Sequence, residues 1–298
     1  MEEHITVLSD ESIQGLNLAP RKVVIDATVG QGGHALHIAQ KIGTQGTLVV
    51  VDADETSLAH AKDVLNGADA HLIYVHGNFR DLKEHMQRIG VTSADAILFD
   101  LGWHQGQLMS GRGFSFKEDA PLLMTLSAKP EGYVLTAKDI IADWDEEELV
   151  KLFKEYGGER FSGRIARTIV EARRHTSIDT AKELAAVVTS AVPHRFRKGP
   201  IHPATRVFQA LRIAVNDELE SLKEGLMAAL SLLAPNGRVA VITFHSLEDK
   251  IVKNLFRDAE KKGDGVRITK KPLAPTRAEI QANPRARSAK LRIFEKHA

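Results

Sequence analysis

Short apolar runs punctuate the first third of the chain, at 23–26, 48–51, 71–75 and 96–99. Each has the length of a strand and ends against polar residues or glycine. Between them apolar residues recur at helical spacing, as at Leu36, Ile38 and Ala39. Strand and helix signals in alternation predict βαβ units. The fold class expected is therefore α/β, a Rossmann-like, doubly wound parallel sheet.

The middle of the chain follows another rule. After Gly111-Arg112-Gly113-Phe114-Ser115-Phe116 the strand signals fade. Leu149, Leu152, Phe153 and Tyr156 mark one helical face, closed by Gly157-Gly158, and Phe161, Ile165 and Ile169 mark the next. Thr180-Ala181-Lys182-Glu183 reads as a capping box opening a further helix. The expected division is a core of residues 1–112 and 200–298 around a helical insertion of residues 113–199. In the last part, Phe208, Leu211, Val215, Leu219, Leu222 and Leu226 form an apolar stripe. Pro235-Asn236-Gly237 reads as a turn, 239–244 as a buried strand, and Ser246 as the cap of the helix that follows. The basic, proline-containing stretch 261–284 reads as a loop, and the alternation around Leu291 and Ile293 as a final strand.

In open parallel sheets, ligands sit beyond the carboxyl ends of the strands. Asp26, Asp52, Asn78-Phe79 and Asp100 all follow strands at that rim. The first strand leads into Gly30-Gln31-Gly32-Gly33-His34, a turn whose glycines let backbone approach a ligand closely. Asp52 is placed to accept hydrogen bonds from ribose hydroxyls. The spacing is neither the six-position dinucleotide fingerprint nor a phosphate loop of the Gly-x-x-x-x-Gly-Lys type. That disfavours NAD and ATP and favours a nucleoside without a pyrophosphate, such as S-adenosylmethionine.

Composition narrows the picture only a little. The chain has 298 residues, 43% hydrophobic and 27% charged, enough for one large core or two. With 40 basic and 39 acidic residues the net charge is +1, so any nucleic-acid contact must come from local patches. There is no cysteine, which excludes disulfides and thiolate metal sites. His34 and His37, three apart, lack a third ligand, and no metal is expected. No apolar run approaches the length of a membrane span, and the acidic start is unlike a secretory signal. A soluble, cytoplasmic protein is the expectation.

Several motifs coincide with one family. They include His4-Ile5-Thr6-Val7-Leu8, Gly30-Gln31-Gly32-Gly33-His34, Asp100-Leu101-Gly102 with Gln107-Leu108, and Arg112-Gly113-Phe114-Ser115-Phe116. Tyr156-Gly157-Gly158-Glu159-Arg160-Phe161, His202-Pro203-Ala204-Thr205-Arg206, Phe244-His245-Ser246-Leu247-Glu248-Asp249 and Asn283-Pro284-Arg285-Ala286-Arg287-Ser288 follow in order. The chain resembles the bacterial 16S rRNA (cytosine-N4)-methyltransferase family over almost its whole length. The resemblance implies a class I methyltransferase sheet with an inserted helical domain, S-adenosyl-L-methionine as cofactor, and a cytosine of small-subunit rRNA, free or in an assembling ribosomal subunit, as target. Carried over residue by residue, it implies cofactor contacts from Gly32, Gly33, His34, Asp52, Phe79, Asp100 and Gln107, with Asp100 also catalytic. Asp100 can meet either the methionyl ammonium or the substrate amine, and the sequence leaves that choice open.

Two segments depart from the family pattern. Trp103-His104-Gln105-Gly106 stands where the family carries serines, and Leu123-Met124-Thr125-Leu126-Ser127 where it carries two acids and an arginine. A paralogue acting on another RNA site and a binding protein without turnover therefore stand beside the ordinary activity. For RNA phosphates the candidates are Arg195, Arg197, Lys198, Arg206, Lys270-Lys271 and Arg285–Arg287, with Lys290 and Arg292 close by. Arg160, Arg164 and Arg167 read as a solvated face, and Glu218 and Glu220 as partners of neighbouring bases.

Overall fold

The computed structural model describes residues 5–102, 105–127, 134–199 and 201–298. Trp103 and His104 lie outside the described residues. The chain forms two compact units, one of residues 1–104 with 219–298 and one of residues 105–218.

The first unit is built on a seven-stranded sheet. Its strands are β1 (Val23–Asp26), β2 (Thr47–Asp52), β3 (His71–His76), β4 (Ala94–Asp100), β5 (Leu233–Thr243), β6 (Gly265–Arg267) and β7 (Lys290–Lys296). Their order is β3-β2-β1-β4-β5-β7-β6. The first five pair in parallel, and β7 runs antiparallel to both β5 and β6. Order reverses at β1, so the carboxyl ends of β1, β2 and β4 converge on one crevice, the switch point of a doubly wound sheet. The central strands are apolar throughout because both faces are covered. On one face pack α1 (Ser9–Gly15), α2 (Gly33–Ile42) and α3 (Glu55–Val64), burying Ile38, Ile42, Leu48 and Val50. On the other, α4 (Leu82–Arg88) and two later helices cover Ile25, Val49, Ile97 and Phe99.

The second unit contains α5 (Gln105–Leu108), α6 (Ala137–Asp143), α7 (Glu146–Glu155), α8 (Ser162–Arg173), α9 (Ala181–Ala191) and α10 (Thr205–Val215). The stripes read from sequence turn inward: Leu149 and Phe153 of α7, Ile165 and Ile169 of α8, and Leu184 and Val188 of α9 are fully buried. Capping boxes open α6, α7 and α9, and the one at Thr180 and Glu183 is the one the sequence announces. The long stripe from Phe208 to Leu226 is broken into α10 and α11 (Glu218–Leu232), with Asp217 in the left-handed region between them.

Four local expectations are corrected. The stretch 261–284 is no plain loop: it holds β6 and α13 (Arg277–Ala282). Three-residue β6 carries one aliphatic side chain, Val266, and owes its strand form to pairing with β7. Pro235-Asn236-Gly237 does not separate a helix from a strand but lies within β5, where the register against β4 shifts and Asn236 takes a positive φ. The cap of α12 (Ser246–Lys262) is His245, not Ser246. Glu248 reaches back to the Phe244 and His245 N–H groups at 2.8 and 3.1 Å, which fixes the helix start one residue earlier. Finally, Arg292 is buried against Asp249 at 2.7 Å and partly exposed Lys290 pairs with the same carboxylate at 3.4 Å, so the basic cluster near the end of the chain is smaller than its sequence suggests.

Candidate active site

The crevice of the first unit is assembled from strand ends and one helix start. Gly32 is the N-cap of α2 with φ +79°, a conformation that favours glycine. A Cβ on Gly33 would stand 2.1 Å from Thr6 Oγ1, so the entering segment of the chain packs directly on this turn. Asp52, at the end of β2, ties the loop down. Its Oδ2 accepts the Gly30 N–H and its Oδ1 the Asp54 N–H, both at 2.9 Å. A carboxylate has lone pairs left after two such bonds, so Asp52 retains capacity for a ribose hydroxyl.

Asp26 and Asp100 close the crevice from β1 and β4. Asp26 Oδ1 accepts the Thr28 N–H at 3.2 Å, and Thr28 Oγ1 accepts the Asp100 N–H at 2.6 Å, so one threonine links the two strand ends. His34, on the first turn of α2, is buried and brings Nε2 to 3.6 Å from Asp100 Oδ2. Among the described residues, Asp26 Oδ2, Asp100 Oδ1 and both His34 ring nitrogens are buried without a hydrogen-bond partner. Buried polar groups are normally satisfied. Several orphans at one strand-end crevice mark a place built for a polar ligand, and the surplus of carboxylates fits one carrying positive charge.

The sequence-assigned residues divide between the units. Gly32, Gly33, His34, Asp52 and Asp100 are brought together. Phe79, just beyond β3, sits half-buried with its ring edge-on to Phe99 at 5.6 Å. Gln107 is buried in the second unit, its carbonyl accepting from Ser110 at 2.7 Å. His37 points elsewhere, with Nδ1 at 2.8 Å from Ser9 Oγ, so it shares no centre with His34. Thr28 was not singled out in the sequence. Its only signal was its position two residues after a strand-terminal acid.

Residues 1–297 match the model of the MraW methylase family. The chain belongs to that family. It is 43% identical to the ribosomal RNA small subunit methyltransferase H of Brevibacillus brevis, over 98% of each chain. An rRNA methylase from Streptococcus thermophilus aligns over 100% of this chain and 99% of its own with TM-score 0.46 and 12% identity. An S-adenosylmethionine-dependent O-methyltransferase from Thermotoga maritima aligns over 100% of this chain and 69% of its own with TM-score 0.45 and 10% identity. Membership stands on the sequence match, and these two add no weight to it. This MraW methylase is an S-adenosylmethionine-dependent enzyme. The residues of the crevice fit that cofactor: a glycine turn, an acid at the end of β2 with acceptor capacity left, and orphaned carboxylates able to meet a cation.

Burial shifts two of these carboxylates upward. Burial raises Asp26 to about 7, against the opposing charge of His34 and the Thr28 N–H. Burial raises Asp52 to about 6, against the Asp54 and Gly30 N–H groups. A cation favours the ionised carboxylate, so cofactor binding is expected to expel protons near neutrality. Titration calorimetry at pH 6.5 in two buffers of different ionisation heat should show net proton release, and affinity should tighten between pH 5.5 and 8. Equal heats in the two buffers would contradict this. The free protein has the opposite dependence: the contribution of neutral Asp26 to stability is complete below 3.8 and lost as pH rises through about 7.

Proposed function

We propose that this enzyme methylates the exocyclic N4 of a cytosine in small-subunit rRNA, in the cytoplasm, on the RNA or on an assembling subunit. The observation that supports this most is the set of orphaned buried polar atoms on Asp26, His34 and Asp100 in a crevice of a MraW family member. The matched Brevibacillus protein carries the name of a small-subunit rRNA methyltransferase. Gly32, Gly33, His34, Asp52, Phe79, Asp100 and Gln107 are the proposed cofactor-holding residues, Asp100 being also the proposed catalytic one. The cofactor, when bound, supplies a methyl group on a sulfonium.

The exocyclic amine of cytosine is a poor nucleophile because its lone pair is delocalised into the ring. The main task of the protein is alignment. An acceptor that holds the amine N–H groups turns the lone pair out of conjugation, and Asp100 is the proposed acceptor. Its Oδ1 has no hydrogen-bond partner among the described residues, and its backbone is fixed by Thr28. Transfer would break the S–CH3 bond of the sulfonium, leaving a neutral thioether, as the N–C bond forms; the amine would become cationic and then give its proton to water, so no strong base is needed beforehand.

Incubation with tritiated S-adenosylmethionine and immature small subunits, followed by mapping of the labelled nucleotide, tests the proposal. Label at N4 of one cytosine is the expected result. Label on a different base would favour a divergent paralogue, to which the altered segments 103–106 and 123–127 point. No label on any RNA, with the cofactor bound, would leave a binding protein.

A further inference from the structure

The motif Tyr156-Gly157-Gly158-Glu159-Arg160-Phe161 belongs to the second unit and builds an aromatic–cationic cluster there. Arg160 lies with its guanidinium carbon 4.0 Å from the Phe196 ring centroid and 4.7 Å from that of Phe161. Arg195 stands 4.8 Å from the Phe196 centroid, and the two rings are 5.3 Å apart. Both arginines are exposed.

Among the described residues, several other arginines of the second unit are engaged, though exposed Arg164 is not. Arg197 donates to the Val192 and Ser190 carbonyls at 2.8 and 2.9 Å, capping the end of α9 and anchoring the turn that presents Arg195 and Phe196. Arg206 faces buried Glu159 at 3.9 Å, and Glu159 accepts the Phe161 N–H at 2.8 Å, which fixes the other side of the cluster. Arg167 pairs with Glu146 and Arg212 with Glu218. Among the described residues, Arg160 and Arg195 have no carboxylate partner. From Leu184 to Asn216 the sequence contains no acid at all. Arg160, expected as a solvated residue like Arg164 and Arg167, is instead held over two rings.

We propose that Arg160, Arg195 and Phe196 form an RNA-docking surface on the second unit. Guanidinium groups ordered over aromatic rings lose less freedom on binding, and their N–H edges match phosphate and base acceptors. Exposed arginines held over half-buried rings suit unpaired nucleotides, whose bases offer a π-face to a guanidinium plane as well as charge on the backbone. With a net charge of +1 for the whole chain, a local basic surface of this kind supplies what bulk charge cannot. The inference rests on the proposal that the substrate is RNA.

The test uses the full chain, a deproteinised small-subunit rRNA fragment and assembled subunits, with anisotropy read over a salt series. The double variant Arg160→Ala/Arg195→Ala should bind the fragment about tenfold more weakly at 0.15 M salt. Its log–log salt slope should be shallower by about 1.4, from two lost phosphate contacts at roughly 0.7 each on a single strand. Arg160→Lys/Arg195→Lys should keep the slope and lose affinity several-fold, because charge survives and stacking does not. Cofactor affinity and melting temperature should match the parent in both. RNA binding by the double alanine variant within twofold of the parent would overturn the surface while leaving the substrate reading intact. Weakened binding to subunits with unchanged binding to free RNA would assign the cluster to a protein partner and also overturn it. A parent chain that binds no RNA even at low salt would sink the substrate reading itself, and this surface with it.

Discussion

Asp100→Ala is expected to lower methyl transfer by about a hundredfold or more, measured as tritium incorporated into small-subunit rRNA. The magnitude follows from what alignment contributes to a displacement whose nucleophile must be turned to face its target. The steady-state constants separate the two roles open to this carboxylate. If Asp100 holds the substrate amine, the loss falls on kcat and the cofactor KM stays near the parent value. If it holds the methionyl ammonium, the cofactor KM rises and kcat at saturation recovers much of its value. Asp100→Asn keeps one acceptor oxygen and should fall between alanine and parent. Near-normal turnover of the alanine variant would remove Asp100 from the chemistry.

Asp249→Ala is expected to cost about 3 kcal/mol of stability, because it leaves Arg292 buried without its counter-charge. Arg292 is 6% exposed and donates from Nε to Asp249 Oδ1 at 2.7 Å and from Nη2 to Oδ2 at 3.3 Å. Lys290 adds a third contact at 3.4 Å. The group joins the first turn of α12 to β7 and so holds the antiparallel strand in place. Urea unfolding should show a lower midpoint with an unchanged slope. Burial pushes Asp249 upward, but Arg292 and Lys290 outweigh it and hold its pKa below 3.8. The contribution of the pair is thus present above 3.8 and lost as pH falls through the lower, folded value. The variant should therefore lose less stability than the parent on acidification. A midpoint within error of the parent would show that the triad is energetically neutral.

The central sheet was legible because its strands are buried on both faces and end on polar residues. Val23 to Asp26 is such a run, and its predicted bounds coincide with β1. The helical stripes of the second unit were legible for the same reason, since one face of each is fully apolar. What escaped were features decided by partners distant in sequence. β6 exists because β7 lies beside it, and Val266 alone cannot announce a strand. Ser246 is a good cap by residue type, but the reach of Glu248 moves the helix start to His245. Lys290 and Arg292 look like a nucleic-acid patch until Asp249, some forty residues earlier, is brought against them. In the crevice the acids were readable from their place after strands. The link through Thr28, and the approach of His34 to Asp100, are products of the fold alone.

The pairing of β4 with β5 has a consequence in time. About 130 residues separate the end of β4 from the start of β5, and the second unit is encoded between them. During synthesis at roughly 5–20 residues per second, the β4 edge therefore waits on the order of ten seconds for its neighbour. For that interval the nascent chain carries an apolar strand with an open hydrogen-bonding side, while residues 105–218 form a compact unit of their own. Slowing elongation across the insertion should lengthen this exposure and raise the demand for chaperones, without altering the finished enzyme.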